Sequence, residues 1–226
     1  MTLFKFNPIL PALVLGATLF FAACDKDDDN NGSSGRLNME ITDSPVDDPN
    51  VKAVFITVAE VKVDGETFSG FSGKKTINLL AYQQGNVALL GLGDLDAGTY
   101  HNVTLVLDTE TDASGNAPGC YVQTVDNVKH ELSASATETL TTAHNFTVSS
   151  GATTNVVIDF DLRKAVMSQS GGGSDQYDFV ATADLEAALR LVVKNESGKV
   201  EGTIQNSIIN TAKIVAFVYE KGDYTR

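Results

Sequence analysis

The chain has no tryptophan, two cysteines and three histidines in 226 residues. Two cysteines exclude a disulfide-knit scaffold and a four-cysteine zinc site. Cations are also scarce: 16 Lys and Arg stand against 29 Asp and Glu, a net charge of −13. That balance excludes nucleic acid as a partner, because phosphate binding needs clustered Lys and Arg. What is present is enough apolar residue, 42% of the chain, to build a core, which excludes an acidic disordered tail. The length allows one or two domains of about 100–200 residues each.

The first residues read as an address. Lys5 gives a short positive start, and Ile9–Phe21 is apolar apart from Thr18. This run is too short to cross a ~30 Å hydrocarbon core as a helix, so it fits the apolar region of a secretory signal. Phe21-Ala22-Ala23-Cys24 then places small residues before a cysteine. It resembles a bacterial lipoprotein signal spanning residues 1–23, in which Cys24 takes the lipid. The alternative is ordinary cleavage after Ala23. Residues 24–35 (CDKDDDNNGSSG) are polar and acidic and read as a flexible tether. An acidic run just after the cysteine also resembles the surface-export signal of Bacteroidota lipoproteins; the alternative is a plain spacer on a periplasm-facing protein. Loss of residues 1–23 removes Lys5 and leaves the chain more acidic still, so attachment would rest on acyl chains, not on charge.

From Arg36 the pattern has period two, broken by Gly, Asp, Asn and Ser clusters. Val51–Val63 puts Ala53, Phe55, Ala59, Val61 and Val63 on one parity, with Lys52, Glu60 and Lys62 on the other. Tyr100–Asp108 groups His101, Val103, Leu105 and Leu107 on one face. Thr153–Leu162 points Val156, Ile158, Phe160 and Leu162 inward, and Asp159 and Asp161 outward. Lys74–Leu80, Leu37–Thr42, Tyr121–Val125, Val128–Leu132 and Phe146–Val148 are further strands. Leu162–Gln169 reads as one or two helical turns. Asp184–Lys194 fits both helical and strand spacing, with strand preferred. Many short strands without a βαβ rhythm predict an all-β fold, an antiparallel β-sandwich of the immunoglobulin-like or transthyretin-like kind, over residues 36–195. In Asp94–Tyr100, Gly98 is expected at a positive-φ turn, and Tyr100 is expected to pin the corner through its hydroxyl. Residues 196–226 read either as closing strands or as the start of a second β module.

Three stretches taken together carry a family resemblance. They are Thr42-Asp43-Ser44-Pro45-Val46-Asp47 leading into VFITVAEVKV, then INLLAYQQGNVALLGLGDLDAGTYHNVTLVLD, then NFTVSSGATTNVVIDFDL. In order and spacing the chain resembles the domain of unknown function 4382 family of bacterial lipoproteins, over roughly Leu37 to Ala165. The resemblance implies a β-sandwich on an exported lipoprotein and brings no catalytic residues with it. Ala181–Lys194 departs from it, lacking a Lys-Pro-containing closing strand. AKIVAFVYE near the end is similar to the opening of a carboxypeptidase regulatory-like module.

Candidate chemistry is sparse. His101, His130 and His144 are too scattered for a zinc motif. Asp43, Asp47 and Asp48 share one loop and are candidate calcium ligands, although Asp43 also fits an Asx-turn before Pro45. Asp159 and Asp161 share a strand face, which makes a carboxylate pair for glycoside hydrolysis thinkable, but a solvated face explains them better. Cys120 reads as a small buried hydrophobe. No GxSxG elbow or phosphate loop occurs.

The expectation is a lipid-anchored cell-envelope protein of the outer membrane, exposed at the cell surface, acting as a non-catalytic binding or structural module without a cofactor. Its partners would be the membrane through Cys24 and an envelope glycan or protein. Thr42–Asn50 and Asp108–Gly119 are the expected contact loops. Tyr82, Tyr121 and Tyr177 are the rings available for sugar stacking. The alternatives are a subunit of an adhesin or pilus-like assembly, joined through an exposed edge near Lys213–Tyr219, and a glycan-active hydrolase.

Overall fold

A computed structural model describes residues 33–43, 46, 48–132, 139–170, 175–198 and 203. The signal at 1–23, Cys24, residues 25–32 of the tether, Asp47 and the strands expected beyond residue 198, Lys213–Tyr219 included, lie outside the described residues.

The fold is an all-β sandwich. One sheet has the order β13-β10-β1-β5, formed by Leu189–Val193, Thr153–Phe160, Ser34–Asp43 and Ala88–Asp96. The other runs β8-β7-β2-β6-β9. Its strands are Lys129–Glu131, Tyr121–Thr124, Val51–Val63, Gly98–Leu107 and Thr139–Val148. On the free edge of β2 pair the short strands β3 (Glu66–Thr67) and β4 (Lys75–Asn78). The inner faces of both sheets meet in one continuous core.

Among the described residues the strand pairs are antiparallel with one exception: β1 pairs with β10 in parallel, Arg36 opposite Thr153 and Asp43 opposite Phe160. The long connection through the second sheet permits this, since parallel neighbours need a crossover. Strand β10 behaves as its alternation requires. Val156, Ile158 and Phe160 are buried, and Asp159 faces outward to Arg190 at 3.0 Å.

Strand β2 does not keep a single parity. Ala53 is buried, then Val54, Ile56 and Val58, then Val61 and Val63, while Phe55 and Ala59 are only half-buried. Two register shifts, at Val51/Ala53 against β7 and at Val58/Glu60 against β6, reset the alternation. Each such bulge moves every later side chain to the other face. The same cause turns His101 outward. Strand β6 shifts register between Tyr100 and Asn102, so His101 leaves the apolar face of Val103, Leu105 and Leu107. It is exposed and meets the Asp64 carboxylate at 3.1 Å.

Strand β5 escapes the alternation test because Gly91 and Gly93 interrupt it. Both glycines lie where β5 meets another stretch of backbone. A Cβ on Gly93 would stand 2.5 Å from the Cα of Gly70, and Leu92 N–H donates to the Gly70 carbonyl at 3.0 Å.

Gly98 does not have a positive φ; the left-handed glycines among the described residues are Gly65, Gly73, Gly85, Gly115 and Gly151. It opens β6 opposite Val148, with open space where a Cβ would be. Gly98→Ala is therefore expected to change unfolding free energy by less than about 0.5 kcal/mol, measured by chemical denaturation. The Tyr100 hydroxyl does reach back along the chain, donating to the Asp96 carbonyl at 2.8 Å, and its ring stacks on Phe146. Tyr100→Phe should cost about 1 kcal/mol in the same assay; a loss under about 0.3 kcal/mol would mean the bond is not a clamp.

Between β10 and β13 the chain makes an excursion. A single turn, α1 (Leu162–Ala165), leads into a ribbon of β11 (Val166–Ser170) and β12 (Asp175–Phe179), followed by α2 (Thr182–Ala187). The region expected to be a strand over Asp184–Lys194 is thus helix first and strand second. Leu185 and Ala188 are buried on the helical side, and Leu189, Leu191 and Val193 on the strand side. Both periodicities were present because both elements are. Among the described residues, no helix is long and apolar enough to cross a membrane.

Candidate functional site

Strand register places the excursion. Phe160 is opposite both Asp43 and Leu189, so β1 ends where β10 leaves and β13 returns. The loop after Asp43 departs from that same end and enters β2 at Val51. The β7–β8 turn joins there too, with Val125 N–H donating to the Asn50 carbonyl at 2.9 Å.

These segments enclose a pocket of about 230 Å³. Its apolar wall is Val46, Val51, Val54, Val122, Leu162 and Val166; its polar lining is Asp48, Arg163, Ser168 and Tyr177. Asp48 accepts the Asn50 N–H at 2.8 Å and the Tyr177 hydroxyl at 3.1 Å. Asp48 thus makes an Asx-turn with Asn50; the turn expected at Asp43 before Pro45 falls on residues outside the described ones. The Tyr177 ring is buried and stands edge-on to His130. Arg163 pairs with Asp161 at 3.3 Å.

Asp43 lies beside the pocket rather than in it. Its side chain is buried. One carboxylate oxygen accepts the N–H of Leu162, a wall residue, at 3.3 Å, and the other accepts the Gln83 amide at 3.3 Å. Burial pushes this carboxyl up from 3.8 to about 7. The bonds from Leu162 and Gln83 oppose the rise, and the charges of Asp159 and Asp161 add to it. Asp43 thus joins the end of β1 to the first turn of α1, and the chain on either side of that joint builds the pocket.

Of the three candidate calcium ligands, Asp43 and Asp48 have separate protein partners, and Asp47 lies outside the described residues. Among the described residues no group of three or more His, Cys, Asp or Glu is placed to hold a metal ion. The loop Asp108–Gly119 belongs to a different part of the surface. It meets β2 at Thr57, whose hydroxyl donates to the Gly119 carbonyl at 2.6 Å. Asp108 accepts the N–H groups of Glu110 and Thr111 and pairs with Lys74, whose ammonium holds its carboxyl below the ordinary carboxylate value. Cys120 is fully buried beneath this loop, its sulfur accepting the Thr57 N–H at 3.4 Å.

The three tyrosines expected to stack sugars are engaged inside the protein. Tyr121 stacks on Phe55 at 4.7 Å with Lys129 over its ring. Tyr177 is buried, and Tyr82 packs half-buried against the core. Packing along β7 and β12, which the sequence does not display, decides this for Tyr121 and Tyr177. Arg163 and Ser168 are pocket residues that sequence reasoning missed. They sit in the excursion, where the pattern was ambiguous, and nothing local marks them.

The family model of a domain of unknown function, DUF4382, matches residues 34–181. The chain belongs to this family. The match begins at the first residue of β1 and covers the pocket-lining residues. It stops before α2 and β13, so the strand that closes the first sheet beside β10 lies beyond the family model. No curated protein and no solved structure is found to match the chain.

Proposed function

We propose that this member of the DUF4382 family is a lipid-anchored protein of the bacterial outer membrane, acylated at Cys24 and exposed at the cell surface, whose sandwich is a non-catalytic binding module. The observation that carries the reading is the polarity of β1. The tether reaches the fold at Ser34, and the pocket is built at the Asp43 end of the same ten-residue strand. At about 3.3 Å per residue, attachment and pocket are roughly 30 Å apart. A lipid at Cys24 would hold one end of the sandwich near the bilayer and present the other outward. Loops carried at one end of a rigid sandwich are a common place for binding residues. The engaged tyrosines favour a protein partner over a glycan, because sugar stacking needs a free ring face.

Intact mass of the protein from native envelopes, with protease digestion of whole cells, tests this. The expected result is a diacyl or triacyl increment on a chain beginning at Cys24, together with cleavage from outside. An unmodified chain released after Ala23 would overturn the anchor. Protection in whole cells but not in lysed ones would move the module to the periplasmic face.

A further inference from the structure

The pocket holds one charge that the chain leaves unanswered. Asp48 Oδ1 accepts the Asn50 N–H at 2.8 Å, and Oδ2 accepts the Tyr177 hydroxyl at 3.1 Å. Both donors are neutral, and among the described residues no Lys, Arg or His pairs with this carboxylate. The cation in the lining, Arg163, is committed elsewhere. It lies two-pronged on Asp161, Nε to Oδ1 at 3.3 Å and Nη2 to Oδ2 at 3.4 Å. Asp48 is half-buried against the aliphatic wall, where an opposite charge is attracted more strongly than in open water. An ionised carboxylate has about four acceptor positions, and two of these are filled. The electrostatic complement of the pocket is therefore a cation with an apolar body.

Size and shape narrow the class. Whole small-molecule ligands occupy pockets of about 300–1,000 Å³, and at about 230 Å³ this one suits a single long side chain. A lysine lays a four-methylene stem along apolar surface and carries three donors at its tip. The valines and Leu162 would hold the stem. Asp48 and the exposed Ser168 hydroxyl would accept from the ammonium. Arginine fits less well. Its planar fork addresses both carboxylate oxygens at once, and Asn50 and Tyr177 already occupy a position on each. The chain as a whole agrees with a basic partner, because a net charge of −13 steers cationic surfaces towards it.

We propose that the pocket between β2, β7 and the α1–β11 segment receives a lysine side chain of a partner protein, its ammonium on Asp48 and its stem on the aliphatic wall. This rests on the reading of the domain as a binding module and specifies what that module holds.

The test is a titration of the full chain carrying Cys24→Ser, with valine methyl groups labelled for NMR. The probes are the N-acetyl amides of lysine, arginine, glutamic acid and norleucine, the last being the uncharged counterpart of lysine. The lysine amide should move the methyl signals of Val51, Val54, Val122 and Val166 saturably. It should bind about tenfold or more tightly than the norleucine amide, since the two differ in the charge-assisted contact alone. Added salt should narrow that ratio. Asp48→Asn keeps an acceptor for the Asn50 N–H and for Tyr177 but removes the charge. It should bring the lysine-to-norleucine ratio to within about twofold of one, while norleucine binding shows that the pocket persists. The ratio measured on the chain with Asp48 intact stands whether or not that variant folds. Equal or tighter binding of the norleucine, arginine or glutamic acid amide would overturn the proposal, as would a lysine preference that survives Asp48→Asn. No saturable shift with any probe would overturn the pocket as a side-chain site. The anchored-module reading is judged separately, by intact mass and surface digestion.

Discussion

Stability should fall as pH rises from about 4 to about 7, and Asp43→Asn should abolish that fall. Asp43 has a folded-state value of about 7 against 3.8 for the free side chain. Between those values the folded chain binds a proton that the unfolded chain has released. Unfolding free energy therefore decreases with pH through that window and levels off above it. One pH unit corresponds to about 1.4 kcal/mol, so the effect is bounded at roughly 4 kcal/mol. Below pH 4 the sign reverses. Asp64, Asp108 and Asp126 have values lowered from 3.8, and the stability they contribute is lost as they take up protons. The curve should peak near pH 4–5. Asparagine preserves the geometry, because its carbonyl accepts the Leu162 N–H and its amide can donate to a flipped Gln83. Urea denaturation at pH 5, 6, 7 and 8 reads the outcome. Asp43→Asn should be the more stable protein at pH 8 and flat across the series. A wild-type curve that rises from pH 5 to pH 8 would show that Asp43 is ionised at no net cost.

Phe68→Ala should cost about 3–5 kcal/mol, the range for deleting a buried phenylalanine ring. Phe68 follows β3 directly and is 1% exposed. Its ring lies against the backbone of Gly70, Gly91 and Gly93, within 2.4–3.5 Å of where their Cβ atoms would be. Elsewhere in the core a void can shrink as neighbouring side chains lean in. Here three neighbours have no side chains: Gly91 and Gly93 are held in β5 and the turn residue Gly70 accepts the Leu92 N–H at 3.0 Å, so little can collapse. Gly93→Ala should destabilise by the opposite route, because its new methyl would meet the Gly70 backbone at 2.5 Å with no flexible side chain to yield. Denaturant midpoints report both. A Phe68→Ala loss below about 1 kcal/mol would show that the β3–β4 connection can move to fill the space.

The alternation of Val156, Ile158 and Phe160 identified β10 and its inner face without any structure, since one buried face of a strand imposes period two on its own residues. The same test failed on β2. Its thirteen residues face two successive partners along one edge, and a bulge at each junction resets the parity. Bulges are set by the partner strand, and the partner is not adjacent in sequence. Strand β5 was silent for a related reason: Gly91 and Gly93 carry no side chain to alternate, and their purpose appears only when Phe68 and Gly70 are seen against them.

By itself, the sequence determined that the chain is an acidic all-β protein, that Cys120 is a core residue and that Tyr100 marks a corner. These are local properties of composition, period and spacing. Tertiary structure alone decided that β1 and β10 run parallel, that Asp43 is buried against Leu162 and Gln83, and that three tyrosines are engaged internally. It also brought Val46, Val122 and Val166, 76 and 44 residues apart in the chain, to one pocket. Burial and enclosure depend on which distant segments meet, and period-two alternation is blind to that.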